Sequence, residues 1–234
     1  MDCFPDRRAD AATNMAMDQL MLIDYPSVEM PRFRHYDWEY SAFTFGFAQT
    51  WEEELDTLVR DGHEVIRRET GGGLVDHRND WTYGLVIPLS HQRGKEAPTE
   101  IYRDVHVCMI EALQKQNADA ILQQEVPPPK IENEFSACFN RAELNDVITQ
   151  SKDKVAGAAQ RRNREGFLIQ GYISRSTLPN LDWQCFKNDF IERLTDWLDS
   201  SAREVSWPKW DEVALNKMKA RFASEAWNKK RKRE

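Results

Sequence analysis

Arg67–Arg68–Glu69–Thr70–Gly71–Gly72–Gly73–Leu74–Val75–Asp76–His77 places three consecutive glycines inside a stretch of otherwise mixed apolar and polar residues. Glycine has no Cβ and accepts φ > 0, so such a run can bend tightly and present N–H groups to a carbonyl, carboxylate or phosphate at close range. Residues 62–68 and 81–88 read as short strands, which puts the glycines between two strands. A phosphate loop or dinucleotide fingerprint would open a helix directly after the glycines, with GK[ST] or GxGxxG spacing, and neither pattern is present. A glycine-rich hairpin turn and a ligand-binding loop both fit the local pattern.

Working outward, residues 11–23 place Met15, Leu20, Met21 and Ile23 at helical spacing, and Pro26 ends the pattern. Strand-like runs at 32–37 and 42–47 precede a polar amphipathic segment at 51–61. After the glycine region, Pro98 opens a helix whose apolar residues recur every three or four positions through Leu113. Val126–Pro127–Pro128–Pro129 is incompatible with a helix and leads into an extended loop containing Cys138. Strands near 145–149, 153–161 and 167–173 follow, then helices over 182–199 and 210–227. The class read from this order is α+β, a single domain with a central mixed, largely antiparallel sheet flanked by helices. Residues 1–205 are taken as the catalytic domain, and 206–234 as a C-terminal helix and basic tail.

At 234 residues, 41% hydrophobic and 30% charged, the chain can bury a full core. No apolar run approaches the roughly 18 residues of a membrane helix, and Met1–Asp2–Cys3–Phe4–Pro5 lacks the features of a signal peptide, so a cytoplasmic protein is expected. A net charge of −7 argues against a general nucleic-acid surface, and the basic run at 229–233 reads as a solvated, frayed tail. Cys3, Cys108, Cys138 and Cys185 are scattered without a CxxC pair, so neither a zinc site nor a disulfide framework is expected. Cys108 and Cys185 fall in helical patterns and read as packing residues.

Two motifs carry a family resemblance. Arg67–Arg68–x–Thr70–Gly71–Gly72–Gly73–x–Val75–x–His77 resembles the signature loop of the lipoate-protein ligase and octanoyltransferase superfamily, which includes biotin-protein ligases. Lys154–Val155–Ala156–Gly157–Ala158, followed by Ile169–Gln170–Gly171–Tyr172, resembles its segment carrying an essential lysine. The two stand in the family's order and roughly its spacing. Weaker matches at Asn14–Asp18, 32–38 and 46–49 extend the likeness over about residues 10–175, and 221–228 resembles a piece of the ligases' C-terminal segment.

The resemblance implies the biotin/lipoate ligase catalytic fold and an enzyme that attaches octanoyl or lipoyl groups to a lysine of lipoyl-domain proteins. Acyl transfer needs a cation for the oxygen charge that develops in the transition state, and Lys154 matches that role. Burial beside the small residues Gly157 and Ala158 would lower its pKa. Arg68 and Thr70 are expected as polar contacts of the loop formed by Gly71, Gly72 and Gly73. His77 is expected either to position the acyl carbonyl or to be a hydrogen-bonded structural residue, and Gln170 and Gly171 stand where a histidine and glycine are common. Cys138 resembles the cysteine of the octanoyltransferase branch, which carries the acyl group as a thioester taken from octanoyl acyl carrier protein; Lys154 nearby would lower its pKa.

In that reading no cofactor is needed. The alternative is an ATP- and Mg²⁺-dependent lipoate ligase acting through an adenylate, which Gly73 favours, with Cys138 structural. The Asn140–Arg141–Ala142–Glu143 sequence also replaces the proline-containing one usual after the transferase cysteine. Biotin ligation and a catalytically silent paralogue that binds partners are further alternatives. The implied partners are apo lipoyl-domain proteins and acyl carrier protein, with no metal site, no membrane and no nucleic acid.

Overall fold

The computed structural model describes residues 1–127, 141–210 and 212–232. Short strands β1 (Asp2–Cys3) and β2 (Arg7–Ala9) lead to helix α1 (Ala11–Ile23), which Asp10 caps by accepting from the Thr13 amide. Every α1 residue from Ala11 to Leu22 is buried, so this helix runs through the interior with no solvent face. Then come β3 (Arg32–Trp38), β4 (Ala42–Phe45), α2 (Glu53–Arg60), β5 (Glu64–Arg67), β6 (Val75–Asp76) and β7 (Asp80–Pro88). Helix α3 (Pro98–Gln114) starts with proline at its first position, where no amide partner is lost, and Glu100 reaches back to the Ala97 amide. The rest is β8 (Ile121–Leu122), β9 (Val147–Ile148), β10 (Lys154–Arg162), β11 (Gly166–Ser174), α4 (Trp183–Trp197), β12 (Arg203–Glu204), α5 (Glu212–Ala223) and α6 (Glu225–Asn228).

Among the described residues the strands form two sheets. The larger runs β12-β1-β3-β7-β11-β10-β9-β8, with β2 beside β3; the smaller is β5-β4-β6. The large sheet is antiparallel from β3 to β8 and parallel where β1 joins β3 and β12. Alternation along its central strands sends Tyr83, Leu85, Ile87 and Phe167, Ile169, Ile173 to the face covered by α3 and α4. Val86 and Leu168 point to the opposite face, onto Met21 and Leu22 of α1. Both faces are covered, which is why β7 is buried along its whole length.

The expected α+β class and largely antiparallel sheet hold. The glycine segment, however, is no hairpin turn: it joins β5 to β6, which pair with opposite edges of β4 in the small sheet, and the chain passes to β7 of the large sheet only at residues 77–79. The single helix expected over 210–227 is broken at Ser224, whose hydroxyl caps α6 through the Trp227 amide. Residues beyond 205 pack into the same body: Trp207 stacks on Phe4, and Phe222 and Trp227 are buried with Met15 and Tyr36. The basic run 229–232 is exposed but not frayed, since the Arg231 and Lys232 amides bond back to Trp227 and Ala226. Cys108 is buried as expected, whereas Cys185 is on the exposed side of α4.

Candidate active site

Between the two sheets lies a cavity of about 310 Å³. Of the residues singled out above, Arg68, Gly72, Gly73, His77, Lys154, Gly157, Ala158, Gln170 and Gly171 line it. Thr70 and Gly71 stand behind the lining, and Cys138 lies outside the described residues.

The glycine loop is held by its own neighbours. Gly72 has φ +82°, and a Cβ on Gly46 would lie 2.1 Å from the Gly72 carbonyl, so the two backbones touch as only glycine permits. Arg68 is 4% exposed and donates to the carbonyls of Gly71 (2.5 Å), Gly73 (2.8 Å) and Thr44 (3.1 Å); burial depresses its pKa to about 10. The expected ligand contact is thus mainly a brace inside the loop. Thr70 donates to Gln170 Oε1 (2.8 Å), and Gln170 Nε2 donates to Asp18 (2.6 Å), itself paired with buried Arg34 (2.6 Å). His77 stacks on Trp38 (4.2 Å between ring centres) with Nδ1 against Asp80 (2.6 Å) and Nε2 against Thr44 Oγ1 (2.8 Å). Both its nitrogens are thus engaged by protein groups.

The facing wall carries charge. Lys154 opens β10, and its Nζ lies 2.8 Å from Asp146 Oδ2, donates to the Arg141 carbonyl (3.1 Å) and sits 5.8 Å from the Tyr172 ring centre. Burial acts to lower its pKa, but Tyr172 and Asp146 outweigh burial and hold it above the ordinary value of 10.5. The shift runs opposite to the expected lowering, on an ammonium that is half-buried. A Cβ on Gly157 would come within 2.9 Å of Lys154 Cε and 3.2 Å of Asp146 Oδ1, so glycine there makes room for the pair. Asp146 also accepts from the Glu143 amide (2.8 Å) and from the Tyr102 hydroxyl, while Tyr102 accepts from the Ala158 amide (3.1 Å). His106, with its pKa lowered by burial, bonds through Nδ1 to the Asn145 carbonyl (2.6 Å) and supports the positive-φ turn that presents Asp146.

Sequence reasoning missed Asp146, Tyr102 and Tyr172. The only local signal was Asn145, a residue type that tolerates positive φ, ahead of a strand. Met15, Tyr36, Trp38, Leu74 and Val75 supply apolar lining. A chamber with these apolar side chains and the Lys154 ammonium suits a molecule with an aliphatic chain and a carbonyl or carboxylate end. Among the described residues no group of three His, Cys, Asp or Glu side chains can hold a metal, and no helix is long and apolar enough to cross a membrane. Burial raises the pKa of Cys3 and pushes Cys108 up to about 12; a hydrogen bond with Asp182 raises that of Cys185. None of these three is a ready thiolate.

A family model described as the lipoyl protein ligase A/B catalytic domain matches residues 10–194. The octanoyltransferase LipM of Macrococcus caseolyticus is 30% identical over 172 residues, 70% of this chain and 61% of the relative. That of Staphylococcus aureus is 28% identical over 171 residues, 70% of this chain and 62% of the relative. The chain spans about three fifths of the length of these two curated relatives. A putative lipoate protein ligase from T. acidophilum with bound lipoic acid superposes with TM-score 0.77 at 17% identity, covering 97% of this chain and 96% of the other. A lipoate-protein ligase A bound with ATP gives 0.76 at 18% identity, covering 97% of each. The two structures establish a shared fold.

Proposed function

The chain belongs to the lipoyl protein ligase A/B catalytic-domain family, and on that premise we propose that it transfers an octanoyl group from octanoyl acyl carrier protein to a specific lysine of apo lipoyl-domain proteins. The observation that carries this reading is the pair of half-buried Lys154 and buried Asp146, facing the glycine loop across an apolar-walled chamber. Likeness to octanoyltransferases of the LipM type favours transfer over ligation. Burying an octanoyl chain stabilises binding by roughly 0.8 kcal/mol per methylene, or about 5 kcal/mol in all, which is ample to hold the acyl group.

The reaction so read has two steps. The Cys138 thiolate attacks the carbonyl of the octanoyl thioester, forms a new thioester and expels the carrier thiolate, which takes up a proton. The neutral amine of the acceptor lysine then attacks that thioester, loses a proton as the amide forms, and returns the Cys138 thiolate. In both steps negative charge develops on the carbonyl oxygen, and the Lys154 ammonium is there to meet it. Support for Cys138 comes from the sequence alone, where it stands upstream of the Lys154 strand as the cysteine of the octanoyltransferase branch does. The acyl group arrives activated, so neither ATP nor Mg²⁺ is consumed, and a reduced thiol fits a cytoplasmic enzyme.

The deciding experiment is the intact mass of an apo lipoyl domain after incubation with this protein and either octanoyl acyl carrier protein, or free lipoate with ATP and Mg²⁺. Octanoylation from the carrier alone, lost in Cys138→Ser together with a hydroxylamine-labile acyl adduct, is expected. Modification only with lipoate, ATP and Mg²⁺ would replace this reading with a ligase.

A further inference from the structure

We propose that helices α5 and α6 are a latch that sets the glycine loop against the lysine strand, with Arg221, Trp227 and Asn228 as positioning residues for the chamber. Strand β5 pairs with β4 along one edge, and its other edge meets α6 at Arg67, the residue that leads into the loop. There the Arg67 amide donates to Asn228 Oδ1 (2.7 Å) and the Arg67 carbonyl accepts from the Trp227 indole (2.8 Å), so side chains of α6 satisfy the main-chain groups a neighbouring strand would otherwise take. The Arg67 guanidinium donates to the Asn228 carbonyl (2.6 Å) and, from its other nitrogen, to the carbonyls of Phe47 (2.7 Å) and Gln49 (2.5 Å). Helix α6 and the turn after β4 are thereby tied through one buried cation.

Two residues further on, buried Glu69 pairs with Arg221 of α5 and with Arg161 of β10, the strand that Lys154 begins. The loop, the lysine strand and the C-terminal helices meet on that one carboxylate. No residue of α5 or α6 lines the chamber among the described residues, so whatever these helices contribute to chemistry passes through the loop. Trp227 is fully buried and Asn228 is 7% exposed, which leaves the junction inaccessible to solvent that might otherwise replace these bonds.

The kinetic part of the test rests on the acyl-transfer reading; the exchange part does not. Amide hydrogen exchange is followed at Phe47, bonded to the Thr70 carbonyl (2.8 Å), and at Arg68, bonded to the Phe45 carbonyl (3.0 Å), since these two bonds pin the loop to the end of β4 and the turn after it. In Asn228→Ala, both amides are expected to exchange at least tenfold faster, and acyl-enzyme formation at least tenfold slower, at a temperature where the variant is fully folded. Asn228→Asp keeps an acceptor for the Arg67 amide but loses the donor to the Phe222 and Ser224 carbonyls, so it should recover part of both. Phe190→Leu, in the core on the α4 side and matched for melting temperature, should leave both unchanged. If Asn228→Ala does not fold, Arg221→Lys is read the same way. Behaviour of the latch variant indistinguishable from Phe190→Leu, in exchange or in acylation, overturns the proposal. Absence of acyl transfer in the unaltered protein would sink the functional reading alone, and exchange would still decide the latch.

Discussion

The two walls of the chamber use polar side chains in opposite ways. On the glycine-loop wall Arg68, Thr70 and His77 bond to other parts of the protein, and what faces the chamber is backbone and the flat sides of rings. On the lysine wall Lys154 and Asp146 are paired, but at the chamber's surface, where a substrate oxygen can join them. One wall therefore supplies shape and the other supplies charge. A motif rich in polar residues need not be where the electrostatic work is done.

The sharpest way to break this division is to remove the charge. Lys154→Ala should lower acyl transfer by 100-fold or more, about 3 kcal/mol of transition-state stabilisation, with the fold retained by circular dichroism. Near-normal turnover would take Lys154 out of the site. On the other wall, Arg68→Lys should cost about 2 kcal/mol of stability in chemical denaturation, because a lysine cannot reach the Thr44, Gly71 and Gly73 carbonyls together. If it instead left stability intact and abolished substrate binding, Arg68 would be a ligand contact after all.

Asp146→Asn is subtler, with about a tenfold lower rate expected, near 1.4 kcal/mol, and a changed pH profile. Since the folded pKa of Lys154 is raised, its stabilising contribution is complete below the unfolded value and is lost only as pH rises through the folded one, above 10.5. The rate and stability of the unaltered protein should therefore show no loss from this group between pH 7 and 9. Without Asp146 one of the raising charges is gone and burial weighs more, so in the variant the alkaline fall should begin at lower pH. Coincident profiles for the two proteins would show that Asp146 does not govern this lysine.

Much of this architecture was legible in local pattern. The bounds of α1, the proline start of α3, the glycine loop and Lys154 all follow from periodicity, caps and motif. What escaped depends on partners far away in sequence. Asp146 matters because it meets Lys154 and Tyr102, 44 residues before it, and neither pairing leaves a trace in the residues around 146. Arg68 and Thr70 read as ligand contacts because their own loop partners are main-chain carbonyls and a distant glutamine. The direction of the Lys154 shift was misread for a related reason: burial was foreseeable from Gly157 and Ala158, whereas the opposing Tyr172 and Asp146 were not. That the glycines carry the chain from one edge of β4 to the other also leaves no local mark, since a hairpin and a crossover can share one turn composition.

The junction of Arg67 with Trp227 and Asn228 has a consequence for the order in which the protein can be made. These residues are separated by about 160 positions, so the bonds close one of the longest loops in the chain and form late. A growing polypeptide that has already released Lys154 from the ribosome still lacks the groups that hold its glycine wall. Pulse labelling during refolding should find the Arg67 amide protected together with the Trp227 indole and after the β7–β11 pair. The chamber is then completed only near the end of folding, and partly folded chains do not present a finished glycine wall.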